Sequence, residues 1–135
     1  MNLPTHLTEA DLAQPGMALG IVLLAHGSRD PLWKQPIEAV AAQMKRVSPS
    51  IAVRCAYLEA TAPDLASSVT ELAGLGVRAI RVVPLFLGMG KHAREDLPRL
   101  LASVRADNPQ IAFDLRPALG EEQQVIELIA AIAVS

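Results

Sequence analysis

Cysteine is almost absent: Cys55 is the single one in 135 residues. No intrachain disulfide can form, and no CxxC or Cys-rich metal framework is available, which fits a reducing compartment. Net charge is small, at -2, so no large basic field marks nucleic acid or an anionic membrane as a global partner. No apolar run approaches the ~18 residues needed to cross a bilayer, and no Lys or Arg precedes an apolar segment near residue 1. Membrane insertion and secretion are therefore not expected, and the cytoplasm is the default. Aromatic residues make up only 3% of the chain, yet 51% is hydrophobic, enough to bury one ordinary core in one domain.

Residues 1–17, "MNLPTHLTEADLAQPGM", lack sustained periodicity and hold Pro4, Pro15 and Gly16. They read as a mobile or loosely packed extension in which His6 is solvated. Residues 18–135 then alternate apolar runs with helical patterns as βαβαβαβα. "LGIVLLAH" is a continuous apolar run, the mark of a strand buried on both faces of a parallel sheet. Residues 51–58 and 78–86 are rich in β-branched residues, and 111–118 alternates as an edge strand does.

Trp33, Ile37, Val40, Ala41, Met44 and Val47 give the first helix one apolar face. The second is expected to start near Pro63, bury Leu65, Val69 and Leu72, and stop at Gly74 and Gly76. Asp96 reads as the cap of the third, with Pro98 in its first turn, leaving 87–95 as a long loop. The fourth carries Val125, Leu128, Ile129 and Ile132 on one stripe. It has more apolar residues than that stripe needs, so Ile126, Ala130 and Val134 are available to a second subunit or to the sheet edge. The expected fold is a three-layer α/β unit with a four-stranded, mainly parallel sheet in the order 2-1-3-4 and helices on both faces.

Parallel strands end on one side, and ligands bind there near the switch in strand order. His26 ends the first strand, Glu59 follows the second, and His92 follows the third. Two imidazoles and a carboxylate on one edge can ligate Co2+, Fe2+, Ni2+ or Zn2+, or accept protons near neutral pH. Plainer readings stay open: His26 as a strand cap, "GSRDP" as turn chemistry, His92 and Glu59 as solvated loop residues. Gly88 and Gly90 permit close backbone approach to a ligand or unusual backbone angles, and Lys91, Arg94, Arg29 and Lys34 add cations suited to a polycarboxylate or phosphate.

Three blocks, "LLAHGSRDP", "AYLEATAPDL" and "VVPLFLGMGKHAREDLPRLL", stand in order at successive strand ends. Together they resemble the small class II tetrapyrrole chelatases, the CbiX-type sirohydrochlorin cobaltochelatases and sirohydrochlorin ferrochelatases. The resemblance implies a half-chelatase (βα)4 unit that inserts a divalent ion into sirohydrochlorin on the route to cobalamin or sirohaem. Co2+ is the first expectation, with Fe2+ or Ni2+ as alternatives. It also implies that His26, His92 and Glu59 are the catalytic and metal-binding set, with His26 the first choice of proton acceptor. Phe86, Leu87, Gly88, Met89, Gly90 and Lys91, with Thr61, would contact the macrocycle, and Arg29 and Arg94 its carboxylates. The ion is then a substrate and no further cofactor is implied; a homodimer is, and neither nucleic acid nor membrane is a partner. "GMGKH" departs in detail from the family segment.

Two other classes compete. A metal or tetrapyrrole carrier would use the same ligands without turnover. A histidine-dependent phosphoryl-transfer enzyme would want an arginine immediately before the histidine, where this chain has Ala25.

Overall fold

The computed structural model describes residues 18–135; the 1–17 extension and the reading of His6 lie outside the described residues. The strands are β1 (Leu19–Ala25), β2 (Ala52–Tyr57), β3 (Ala79–Pro84) and β4 (Ala112–Leu115). The helices are α1 (Gln35–Val47), α2 (Leu65–Gly74), α3 (Lys91–Asp107) and α4 (Gln123–Val134), with a 3-10 turn at Leu119–Glu121 before the last. All strand pairs are parallel and the order is β2-β1-β3-β4, as the right-handed crossover rule leads one to expect. β1 is central, with Leu23 opposite Cys55 on one side and Val83 on the other. Covered on both faces, it needs no polar alternation.

Side chains alternate across this sheet, and the two faces differ. One presents Val22, Leu24, Ala56, Ile80, Val82 and Phe113 to α2 and α3, which return Leu65, Val69, Leu72, Leu97, Leu101 and Val104. Each such burial contributes about 1.5–3 kcal/mol, so this closed face holds the fold together. The other presents Ile21, Leu23 and Val53, against which Ile37, Ala41 and Met44 of α1 are only half-buried. No residue of α1 or α4 is fully buried. On this open face the half-buried Arg81 donates to the fully buried Asp114 across β3 and β4 at 2.8 Å.

The structure corrects three helix assignments. α3 starts at Lys91 with Gly90 as its cap residue and carries Pro98 in its interior. The 87–95 loop is thus reduced to a short connection, and Asp96 is a helical residue rather than a cap. Lys91, Ala93, Arg94 and Glu95 have ordinary to good helix propensity, and Pro98 deletes one backbone bond without ending the helix. α2 is capped by Asp64, whose carboxylate accepts the Ser67 N–H at 2.8 Å; Pro63 precedes the cap, and Gly76, at φ +86°, follows the helix end. In α4 neither apolar stripe packs inward: Leu128, Ile129 and Ile132 are exposed along with Ile126 and Val134.

Candidate functional site

β1 stops at Ala25, and the next residue is held by its neighbour strand. The His26 carbonyl accepts the N–H groups of Leu58 and Glu59 at 3.0 and 2.9 Å. This binds the end of β1 to the end of β2, and so His26 to Glu59, through backbone alone. The contact is close enough to demand glycine at the next position: Gly27 has φ +108°, and a Cβ there would stand 1.8 Å from the Glu59 carbonyl oxygen. The chain after Glu59 is also constrained, because Thr61 N–H donates to the Glu59 carbonyl at 2.8 Å. Ala60, at the centre of that three-residue turn, has φ 66°, a region costly for a residue with a side chain.

The third strand end approaches from the other side of β1. Leu85 N–H donates to the Leu24 carbonyl at 2.8 Å, bringing Phe86 beside His26, where the rings lie 4.4 Å apart between centroids and are tilted by 31°. Phe86 is buried, at 5% exposure, so its ring backs the imidazole. Leu87, at 75% exposure, is the open apolar side chain of this segment. Gly120 fixes the segment from behind: its N–H donates to the Phe86 carbonyl at 2.9 Å, and a Cβ on it would meet the Leu87 carbonyl oxygen at 1.8 Å. Gly88 and Gly90 have open space around them and no positive φ. Unusual backbone angles are therefore not their role.

His26, Glu59 and His92 line one cavity of about 420 Å³, together with Leu58, Ala93, Asp96, Leu97 and Leu100. Three strand ends thus supply one site, with His92 on the first turn of α3 instead of on a loop. Its wall of leucines is continuous with the closed core. Among the described residues no three His, Cys, Asp or Glu side chains are grouped closely enough to form a ready-made metal centre. The cavity offers two imidazoles and two carboxylates that can take protons or lend N and O donors singly. Asp96 was missed as a site residue because it was assigned to a cap; its i,i+4 spacing from His92 was the available signal.

The remaining residues named from the sequence do not line the cavity. Thr61 is half-buried beyond the tight turn, and Arg29, Lys91 and Arg94 are exposed. The "GSRDP" stretch is also turn chemistry: Ser28 Oγ accepts from Asp30 N–H and the Asp30 carboxylate from Leu32 N–H. Cys55 lies away from the site, its Sγ 3.9 Å from the Ile37 carbonyl of α1. Burial pushes its thiol pKa up, helped by Glu38 and opposed by Lys45, which keeps it protonated and a poor ligand.

Comparison with known proteins places this geometry among relatives. The CbiX family matches residues 20–133. A sirohydrochlorin cobaltochelatase of Methanococcoides burtonii is 28% identical over 119 residues, covering 82% of this chain and 91% of the relative. The crystal structure of a CbiX protein from Marinobacter aquaeolei VT8 is similar with a TM-score of 0.74 and 31% identity, over 85% of this chain and 93% of that one. The sirohydrochlorin chelatase SirB of Bacillus subtilis subspecies spizizenii, solved with cobalt, shares the fold at a TM-score of 0.73 and 24% identity. This chain covers 49% of it.

Proposed function

The chain belongs to the CbiX family, and on that premise we propose that it inserts a divalent metal ion, Co2+ before Fe2+ or Ni2+, into sirohydrochlorin. The observation that carries this reading is the convergence of His26, Glu59 and His92 from three strand ends on one cavity. Co2+ is preferred because relatives across most of the chain are named sirohydrochlorin cobaltochelatases.

Insertion exchanges two pyrrole protons for one dication, so the site must accept protons and release the ion. His26 is the first acceptor. Phe86 behind its ring and the two backbone bonds to its carbonyl hold it in one orientation, and such fixing is worth several kcal/mol when reacting groups must align. His92 and Glu59 lend donors that let go as the ring nitrogens take over. Lys91 and Arg94 lie at the positive end of the α3 dipole, where each costs about 0.3–1 kcal/mol. That placement suits the carboxylates of the macrocycle, and Arg29 adds a third cation after His26. The exposed Leu87 and the open Gly88 and Gly90 offer the ring an apolar approach beside Met89, which is half-buried against the closed core, and Thr61 after β2 is a further contact in this reading. The ion is a substrate, and no prosthetic group enters the scheme.

A homodimer is part of this reading. A cavity of about 420 Å³ is small for a macrocycle ringed with carboxylates, the larger SirB contains this fold in about half its length, and α4 leaves Ile126, Ile129 and Ile132 exposed. Light scattering at assay concentration is expected to give twice the mass of one chain; the monomer mass alone would refute it. Among the described residues no helix is long and apolar enough to cross a membrane, and with one thiol the cytoplasm is the proposed compartment.

The deciding experiment follows the absorbance of sirohydrochlorin with Co2+ under anaerobic conditions. Protein should accelerate insertion, and His26→Ala and His92→Ala should each slow it by roughly 10²-fold or more. A protein that binds macrocycle and ion without acceleration is a carrier, and the chelatase reading fails.

A further inference from the structure

Among the described residues, two glycines stand so close to neighbouring backbone that no side chain could take the place of a hydrogen. Gly27 faces the Glu59 carbonyl, and Gly120 faces Leu87, whose carbonyl oxygen, carbonyl carbon and Cα lie 1.8, 2.5 and 2.5 Å from where a Cβ would stand. Gly120 has no positive φ, so glycine is needed there for close approach and not for a backbone angle. The chain reaches this point by following β3 past its end. Arg116 N–H donates to the Val82 carbonyl at 2.9 Å, Ala118 is fully buried, and Gly120 N–H donates to the Phe86 carbonyl at 2.9 Å. On the opposite flank Leu85 N–H donates to the Leu24 carbonyl at 2.8 Å. Phe86 is thus fixed between β1 and the Leu119–Glu121 turn, and its buried ring stands 4.4 Å from the His26 imidazole. An imidazole that takes protons is commonly aimed by a hydrogen bond to its second nitrogen. Among the described residues the exposed His26 ring has no such bond, and the Phe86 ring is the contact that gives it a direction.

We infer that Gly120 is a positioning residue of the site, acting on the His26 imidazole through Phe86. The inference deepens the chelatase reading and rests on it for the reaction, while the setting of the imidazole can be read without turnover. A Cβ at residue 120 drives the Leu87 backbone off the turn. The Phe86 carbonyl then loses its donor, and the ring of the same residue leaves the imidazole. His26 becomes free to sample several rotamers where one was held. Its reacting nitrogen must meet a pyrrole N–H at bonding distance, so a freer imidazole slows proton removal without weakening the binding of either substrate.

The test reads the His26 ring protons by NMR on the full chain, without ion or macrocycle and at one fixed pH, with His26→Gln for assignment. Steady-state insertion follows, with each substrate varied. In the wild type the ring current of Phe86 should displace the His26 ring protons from their positions in free imidazole, and Phe86→Leu should abolish the displacement. Gly120→Ala should remove most of it and lower kcat by roughly tenfold or more, with the KM for sirohydrochlorin and for Co2+ each within about twofold. In a Phe86→Leu background the same substitution should change kcat by less than about twofold, because its route to His26 is already cut. Should Gly120→Ala fail to fold, Ala118→Gly loosens the same turn without adding an atom, and it should move the His26 resonances in the same direction by less. Unmoved His26 resonances in the folded variant, or a loss of kcat equally large with and without the Phe86 ring, overturns the proposal. A protein whose resonances move as expected but that never inserts Co2+ overturns the chelatase reading and leaves the positioning of His26 standing.

Discussion

The two faces of one sheet have been put to different uses. The closed face, under α2 and α3, packs Val22, Leu24, Ile80, Val82 and Phe113 away from water. The open face keeps Ile21, Leu23 and Val53 as its buried core, beneath helices that bury nothing fully. The candidate site stands where the closed core reaches the strand ends, so its exposed histidines and carboxylates adjoin the buried Leu97 and the half-buried Leu58 and Leu100. The open face carries the Arg81–Asp114 and Arg116–Glu122 pairs at 2.8 and 2.9 Å and a row of exposed aliphatic residues. One face supports the candidate site, and the other leaves the α4 side chains Ile126, Leu128, Ile129 and Ile132 exposed among the described residues.

The largest stability effects should therefore separate by face. Phe113→Ala removes a fully buried ring from the closed core and should cost about 3–5 kcal/mol. Ile132→Ala on α4, where the side chain is 65% exposed, should cost less than about 0.5 kcal/mol at monomer concentrations. Denaturant unfolding of both variants across a dilution series decides it. A large cost for Ile132→Ala that persists on dilution would mean that α4 is packed within its own chain and that the two faces are equivalent.

Next comes the crossing that ties the site to the closed face. Gly27→Ala places a Cβ against the Glu59 carbonyl oxygen at φ +108°. It should cost about 2–4 kcal/mol through steric conflict and left-handed strain, and metal insertion should fall as His26 and Glu59 are pushed apart. Thermal unfolding and the insertion assay measure the two effects. Wild-type activity in a stably folded Gly27→Ala would show that the backbone bonds between the strand ends do not set the site.

Most of the architecture was legible because a parallel sheet writes itself as apolar runs separated by helical periods. The strand order followed from handedness, and His26, Glu59 and His92 followed from strand ends. What escaped was set by tertiary contacts. Pro98 inside α3 looked like a helix start, since a proline's tolerated position is a local rule and the helix upstream of it is a packing outcome. Asp96 was misassigned with it. Phe86 looked like a macrocycle contact, and only the packed structure shows it turned behind His26. Val125, Leu128, Ile129 and Ile132 of α4 read as a packing stripe, with Ile126, Ala130 and Val134 as a surplus, because periodicity reports that a face is apolar, not what covers it.

A smaller effect lies at a helix end of the closed face. α2 has a side-chain cap, whereas α1, α3 and α4 have none, so capping belongs to one helix and not to one face. Asp64→Ala should cost about 1 kcal/mol. Hydrogen bonds from Ser67, side chain first and then backbone, hold the Asp64 carboxyl below its ordinary value of 3.8 against a slight opposing burial. A carboxylate lowered by folding stabilises above its unfolded pKa and loses that contribution as pH falls through the folded one. The gap between wild type and Asp64→Ala should then be full at neutral pH and shrink on acidification below about pH 4. A gap that stays constant to pH 2 would show that the charge contributes nothing to the cap.

The smallest effect on stability should come from Ala60→Gly, and it tests whether the site can be disturbed without touching either face. At φ 66° alanine pays about 1 kcal/mol that glycine does not, but glycine brings back about 0.4–1 kcal/mol of unfolded-state entropy. The two nearly cancel, so the melting temperature should move by no more than ~3 °C. The turn that presents Glu59, kept by the Thr61 to Glu59 bond at 2.8 Å, loses stiffness even so. If a stiff turn is what aims the carboxylate into the cavity, the rate of insertion should fall a few-fold with the fold intact. An unchanged rate would place the control of Glu59 in its own N–H bond to the His26 carbonyl, and so in the strand ends alone.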